Sequence, residues 1–384
     1  MTSPAHRTLL VGVLVGLLVA LAGMVMLWPS DVPQAPPSEV EGVDVIDGRI
    51  DHVEYLRDDD SGFLPGAIIV DVTATIEDTG EQVTFEMVDE APDSFEAGQP
   101  VHLQVMDMGG GEVMYQVMDV RRDGPLLWLL ALFVTAVVGF GRWQGVRALA
   151  GLALTFVLIL TFIIPAILVG ANPIAVTLIG AVPIMILTLY LSHGFNPKTT
   201  AAVIGTATAL AITGALAWSF ANLASLTGYT SEEARLLSLE VGGLNLQGLL
   251  LAGIILGGLG VLDDVTMSQS STVFALRRAA PAATFRELFT NALSVGRDHV
   301  AATVNTLFLA YAGASLPLLI LFVIGGQGWG SLVTSELVAV EIVRTLVGSV
   351  GLIAAVPITT ALAAWLVNQK GVEGAEPEPR PSAD

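Results

Sequence analysis

The chain has 384 residues, 53% hydrophobic and 14% charged, with a mean hydropathy of +0.71, as expected of a protein solvated largely by lipid. Its net charge of −20 is concentrated in one stretch, because 23 Asp and Glu stand against 4 Arg between Asp31 and Gly124; that stretch must face water, and nucleic acid is not an expected partner. The absence of cysteine excludes disulfides, thiolate-ligated metals, iron–sulfur clusters and thiol nucleophiles.

Taken in chain order, residues 9–28 form an apolar run long enough to cross a hydrocarbon core of about 30 Å. The run exceeds the apolar region of a secretory signal and is followed by Trp28-Pro29 without a small-x-small cleavage site, so an uncleaved anchor (1–30) is predicted. Pro33, Pro36 and Pro37 fix φ and remove backbone donors, which predicts an extended tether over 31–42.

Five β-rich runs follow: Gly48–Tyr55, Ala67–Ile76, Gln82–Val88, Val101–Met106 and Val113–Val120. They are separated by turn-forming Asp58–Gly62, Asp78–Glu81 and Gly109–Gly111, which predicts a small OB-like or similar barrel over 43–124. Apolar spans are then expected near 125–141, 148–169, 174–192, 199–221, 247–262, 302–323 and 343–366. The expected fold is therefore mainly α, a polytopic membrane protein of about eight transmembrane helices with a small all-β extracytoplasmic domain, a seven-helix core (125–366) and a disordered cytoplasmic tail (367–384).

Cationic residues orient the spans. With the N-terminus inside, Arg7, Arg142, Arg147, Lys198, Arg277, Arg278, Arg286, Arg297, Lys370 and Arg380 are cytoplasmic, and Arg235 alone falls in a short outer loop. Both termini are then cytoplasmic and residues 31–124 extracytoplasmic, on the far side of a plasma membrane. Val176–Ile184, VTLIGAVPI, matches Val350–Ile358, VGLIAAVPI, at seven of nine positions, which suggests same-orientation repeats of the kind transporter cores use. Pro165, Pro183, Pro317 and Pro357 interrupt spans and predict kinks or unwound turns.

The chemistry concentrates in two segments. In GGLGVLDDVTMSQSST (Gly257–Thr272), a helix places Asp264, Ser268 and Ser271 or Thr272 on one face, and such oxygen ligands suit hard cations or protons. The Gly253/Gly257 pair is spaced to let another helix approach, which would bring the carboxylates inside the bundle; a helix end surfacing at the interface is the competing reading. In GRDHVAATVNT (Gly296–Thr306), Asp298 and Asn305 share a face. Asp263 or Asp264 is expected to face Asp298, with Ser268 and Asn305 nearby. Glu341 and Arg344, at i and i+3, are expected to neutralise each other. No phosphate loop, zinc-protease motif, nucleophile elbow or haem motif is present in the sequence, so neither an enzyme nor a cofactor is expected.

The two segments GGLGVLDDVTMSQSS (Gly257–Ser271) and GRDHVAATVNTLFLAYAG (Gly296–Gly313) resemble the YibE/F-like family of bacterial multi-spanning membrane proteins, and the order of anchor, outer β domain and core extends the resemblance from the anchor to about Trp365. The resemblance implies the topology and marks Asp263 or Asp264, Ser268, Ser271, Asp298, Asn305, Thr306 and Tyr311 as candidate ion- or substrate-binding residues; whether a metal is bound is open. It does not imply an activity. The leading expectation is a transporter or permease for an ion or small solute. The alternative is a membrane scaffold or envelope-assembly factor whose acidic domain binds an envelope protein.

Overall fold

The structure, a computed structural model, describes residues 4–29, 43–56, 68–89, 94–108, 113–326 and 328–369. The expected tether, the turns at Asp58–Gly62 and Gly109–Gly111, and the tail beyond residue 369 lie outside them. The chain divides into two compact units, one of Pro33–Ala136 and one of Met1–Val32 with Val137–Asp384.

In the first unit, strands β1 (Val43–Leu56), β2 (Ile68–Ile76), β3 (Gln82–Asp89), β4 (Pro100–Asp107) and β5 (Val113–Val120) form one antiparallel sheet in the order β3-β2-β1-β4-β5. The period-2 alternation sets its inner face: Val70, Val72, Ala74 and Ile76 of β2 are buried, as are Val101 and Leu103 of β4. The sheet curls so that Phe85 of β3 and Tyr115 of β5 have ring centroids 6.1 Å apart. No ladder joins these edges among the described residues, so the barrel expected from sequence is a half-barrel. The Asp78–Glu81 turn closes as expected, with the Gly80 N–H donating to the Ile76 carbonyl at 2.9 Å.

Asp51 stands at a register shift in β1, where the bulge turns its carboxylate toward the neighbouring strands. Its Oδ2 accepts from Thr75 Oγ1 at 2.6 Å and from Gln82 Nε2 at 3.1 Å. These bonds hold its carboxyl below the usual aspartate range. A depressed folded-state pKa contributes stability present above the unfolded-state value and lost as pH falls through the folded one. Hydrogen exchange on the full chain is therefore expected to show β1–β3 opening more readily in acid. Asp51→Asn should reproduce part of that loosening at neutral pH and reduce the further loss on acidification.

The second unit is helical. It contains α1 (Pro4–Met26), most of α2 (Asp123–Leu158), a π-helical turn (Ile159–Ile163), α3 (Ile164–Leu168), α4 (Pro173–His193), α5 (Pro197–Leu223), α6 (Glu232–Glu240), α7 (Leu246–Ala279), α8 (Phe285–Ala314), α9 (Leu316–Ile324), α10 (Trp329–Thr334) and α11 (Glu336–Val367). Among the described residues, six helical stretches are long and apolar enough to cross a membrane, or seven if the pair Phe285–Ala314 and Leu316–Ile324, bent by 59°, is one span. The stretch Asp123–Leu168, 46 residues, joins two of the expected spans and breaks at Arg142 (φ 48, ψ −130). Beyond that break Gly145 packs against the carbonyl of Val137. In an unbroken helix those two residues would be separated by about 12 Å along the axis, so the chain reverses at Arg142.

The four prolines behave in two ways. Pro165 lies just after the π turn and Pro317 opens α9 beyond the 59° bend, as a residue without an N–H requires. Pro183 and Pro357 lie inside helices that continue through them without an unwound turn. These two prolines are the equivalent positions of the repeated motif, and α4 and α11, which carry it, both pack on α5 and α7.

Large apolar side chains face outward along the helices, among them Val19, Leu127, Trp128, Phe140, Leu160, Ile324 and Ile353. A water-exposed surface does not carry apolar area on this scale, whereas lipid accepts it. The interior holds, beside large apolar side chains such as Phe162, Leu189 and Leu262, many small and hydroxyl residues, including Thr199, Thr200, Thr206, Thr213, Thr266, Ser270, Thr359 and Thr360. Several of these hydroxyls bond back to the carbonyl four residues earlier, as Thr213 does to Ala209 at 2.9 Å, which lets a hydroxyl sit inside the bundle without an orphaned proton.

Candidate functional site

The α7 helix runs through the middle of the helical unit, packed on α4, α5, α8 and α11, and it carries the Asp263-Asp264 pair. At about 100° per residue, adjacent side chains on a helix diverge, so the two acids enter different surroundings. Asp263 turns into the bundle and Asp264 is exposed.

Around Asp263 the neighbours are threonines from three helices. Thr188 of α4 lies 3.4 Å from Asp263 Oδ2, Thr266 of α7 donates to the Asp263 carbonyl at 3.2 Å, and Thr206 of α5 stands beside the carboxylate while bonding Thr266 at 2.6 Å. The Thr188 hydroxyl has a single proton, and its contact with the Ile184 carbonyl is shorter, at 2.8 Å. It therefore serves Asp263 weakly. Asp263 Oδ1 is enclosed and has no hydrogen-bond partner among the described residues. A carboxylate this poorly satisfied inside a bundle is costly unless a proton or cation accompanies it.

The other inward polar groups of α7 act as braces. Gln269 Nε2 donates to the Ala292 carbonyl of α8 at 2.8 Å and to Thr360 Oγ1 of α11 at 2.7 Å, and Ser270 Oγ donates to the Lys198 carbonyl at 2.8 Å. The inward face of α7 is thus Asp263, Thr266, Gln269 and Ser270. The face expected from sequence, Asp264 with Ser268 and Ser271 or Thr272, is the outer one: Asp264 and Ser268 are exposed, and Ser271 and Thr272 are half-buried. Leu259, Leu262, Val265 and Val273 of α7 are buried as well.

Asp298 is not among the residues that α8 turns into the bundle. On α8 the buried positions are Leu288, Ala292 and Gly296, and Gly296 has no room for a side chain because Val356 and Gln269 press against it. Asp298, two residues on and about 200° around the helix, is exposed, as are Asn305 and Thr306. Asp298 and Asn305 share a face as expected, but it is the outward one. The residue that comes near the α7 acids is His299, which together with His193 of α4 lies within electrostatic reach of Asp264.

Tyr311 is half-buried in a narrow cleft between α7, α8 and α11, lined also by Gly257, Arg344 and Leu352. Arg344 lies 5.9 Å from the Tyr311 ring centroid and pairs with Glu341 at 2.8 Å, which is the neutralising contact expected. The close helix approach falls at Gly257, near Tyr311, and at Gly258, near Thr213, whereas Gly253 has no atom within 4 Å of where its Cβ would stand.

No group of three or more His, Asp or Glu arranged to hold a metal occurs among the described residues. The oxygens around Asp263 are those of neutral threonine hydroxyls, with Asp264 the neighbouring acid; oxygen donors of this kind suit protons and hard cations.

No curated protein and no solved structure matches the chain. Residues 129–369 match the family described as YibE/F-like protein, so the match takes in α3 to α11 and most of α2 while leaving out the anchor and the β domain to which the sequence resemblance had been extended. Since that match spans well over half of the 384 residues and includes both polar segments, the chain belongs to the YibE/F-like protein family.

Proposed function

We propose that this protein is a permease of a bacterial plasma membrane that moves a proton or a monovalent cation through its helical core, with Asp263 as the binding group. The observation that carries this reading is the Asp263 carboxylate, whose Oδ1 is enclosed without a partner among the described residues amid hydroxyls from α4, α5 and α7. A carboxylate kept only for packing would have its lone pairs answered by protein donors; this one is left with capacity for a traveller. Carbodiimide, which attacks protonated carboxyls in apolar surroundings, is expected to label Asp263 in the purified protein, and the transported cation should slow that labelling. Unlabelled Asp263, or labelling that no monovalent cation or pH change affects, would remove Asp263 from the role.

The same reading gives the chain eight crossings, counting Asp123–Leu168 as two spans meeting at Arg142 and the bent α8–α9 pair as one. Both termini are cytoplasmic and residues 31–124 extracytoplasmic. Because the chain has no cysteine, single cysteines report topology without background. In intact cells an impermeant maleimide is expected to label Asp78→Cys and Glu233→Cys, and to reach Trp143→Cys, Phe195→Cys and Ala280→Cys only after the membrane is opened. The reverse pattern would invert the orientation, and an unreactive Trp143→Cys in opened cells would argue against the turn at Arg142.

A further inference from the structure

We propose that the β domain holds a Cu(I) ion between the thioethers of Met106, Met108 and Met114. Four of the ten methionines in the chain fall between positions 106 and 118, in MDMGGGEVMYQVM. A methionine in a small sheet ordinarily fills its core, and these do not. Met108, Met114 and Met118 are 64%, 44% and 63% exposed, while the inner face of the same two strands is taken by Val101, Leu103 and Val117.

The register brings the sulfurs together. Met106 and Met114 are direct cross-strand partners, which sets their Cα atoms about 4.5–5.5 Å apart with both side chains on one face. Met108 follows Met106 by two residues, one past the end of β4, within about 7 Å of it along the chain. A methionine side chain has three rotatable bonds, enough for three such residues to turn their sulfurs toward one point. Three neutral, soft thioethers select Cu(I) over the hard cations that carboxylates bind, and the charge left on the ion suits a segment that carries 23 acids against 4 Arg.

Gln104 and Gln116, a directly opposed pair, share the outer face with these methionines and break its apolar continuity. That arrangement fits separate ligands better than a protein-docking patch, which would favour aromatic and aliphatic side chains. Met118 provides an internal control. It stands four residues from Met114, about 13 Å along the strand, at the irregularity opposite His102 and Leu103.

The test is a titration of the detergent-solubilised full chain with ascorbate-reduced copper, without oxygen, against a colorimetric Cu(I) chelator. One equivalent of Cu(I) should be withheld from the chelator, and X-ray absorption of that sample should show sulfur in the first coordination shell. Met106→Leu/Met108→Leu/Met114→Leu, with near-isosteric apolar replacements, should weaken binding by about a hundredfold or more, since disturbing even outer-shell partners costs about 10–100-fold. Met118→Leu should bind as the wild type does. Failure to withhold Cu(I), a shell of nitrogen and oxygen only, a triple variant that binds as tightly as wild type, or loss of binding on Met118→Leu alone would each overturn the proposal. The X-ray measurement needs no variant, so a triple variant that failed to fold would leave the proposal open to refutation.

Discussion

Gly205→Leu is expected to prevent α5 and α11 from packing and to leave little monodisperse protein. A side chain at Gly205 would run into the Thr359 hydroxyl, and even a Cβ would stand 3.1 Å from the Thr359 Cβ, an atom whose place the backbone fixes. The obstacle therefore includes a Cβ that no rotamer change moves. The contact is reciprocal, because Gly351 of α11 approaches Thr213 of α5, where an added Cβ would meet the threonine Cβ at 3.3 Å. Both threonines are fully buried, and α5 and α11 also pack on α7, so parting them disturbs the helix that carries Asp263. Overpacking a close-packed interior costs about 1–3 kcal/mol for modest additions and more when helices must separate. Gly205→Ala should lower the Tm in detergent, and Gly205→Leu should abolish the sharp transition and the symmetric size-exclusion peak. A leucine variant with the wild-type Tm would contradict the close approach.

The β domain was legible because its signals are local. Val70, Val72, Ala74 and Ile76 alternate with polar residues, and Gly80 marks the turn, so the five strands fall within a few residues of their predicted places, with β1 beginning earlier than predicted. Closure was not legible, because whether β3 pairs with β5 depends on curvature accumulated over the sheet.

In the helical unit, hydropathy located the apolar stretches, and the reversal at Arg142 was implied by the charged residues between two of them. Which face of each helix turned inward was not implied, since in lipid both faces are apolar and amphipathicity gives no direction. Asp263 and Asp264 were therefore indistinguishable in sequence, and Asp298 was paired with them on the cost of an isolated acid alone. The threonines were missed for a related reason: Thr188, Thr206 and Thr266 lie on three helices, and only packing reveals that they converge. The signal that was present is the small size of Gly205, Gly296 and Gly351, which marks where helices touch and hence which neighbours turn away.

The account depends most on Asp263, and flux into proteoliposomes measures its role directly. Asp263→Asn keeps the shape of the side chain and removes the charge, so a carboxylate that exists to bind a proton or cation should lose its flux while the fold remains. Because Oδ1 lacks a partner among the described residues, the neutral side chain should leave the Tm unchanged or raise it by a few degrees, as when an uncompensated buried charge is removed. A residue held for structure would behave in the opposite way, with flux surviving and the Tm falling. The measurement is proton and monovalent-cation uptake by proteoliposomes carrying wild type or Asp263→Asn at equal protein density, with Asp264→Asn and Asp298→Asn alongside. The account predicts wild-type uptake that falls to the protein-free background in Asp263→Asn alone; uptake in Asp263→Asn equal to wild type, or no uptake by any of the four, would contradict it.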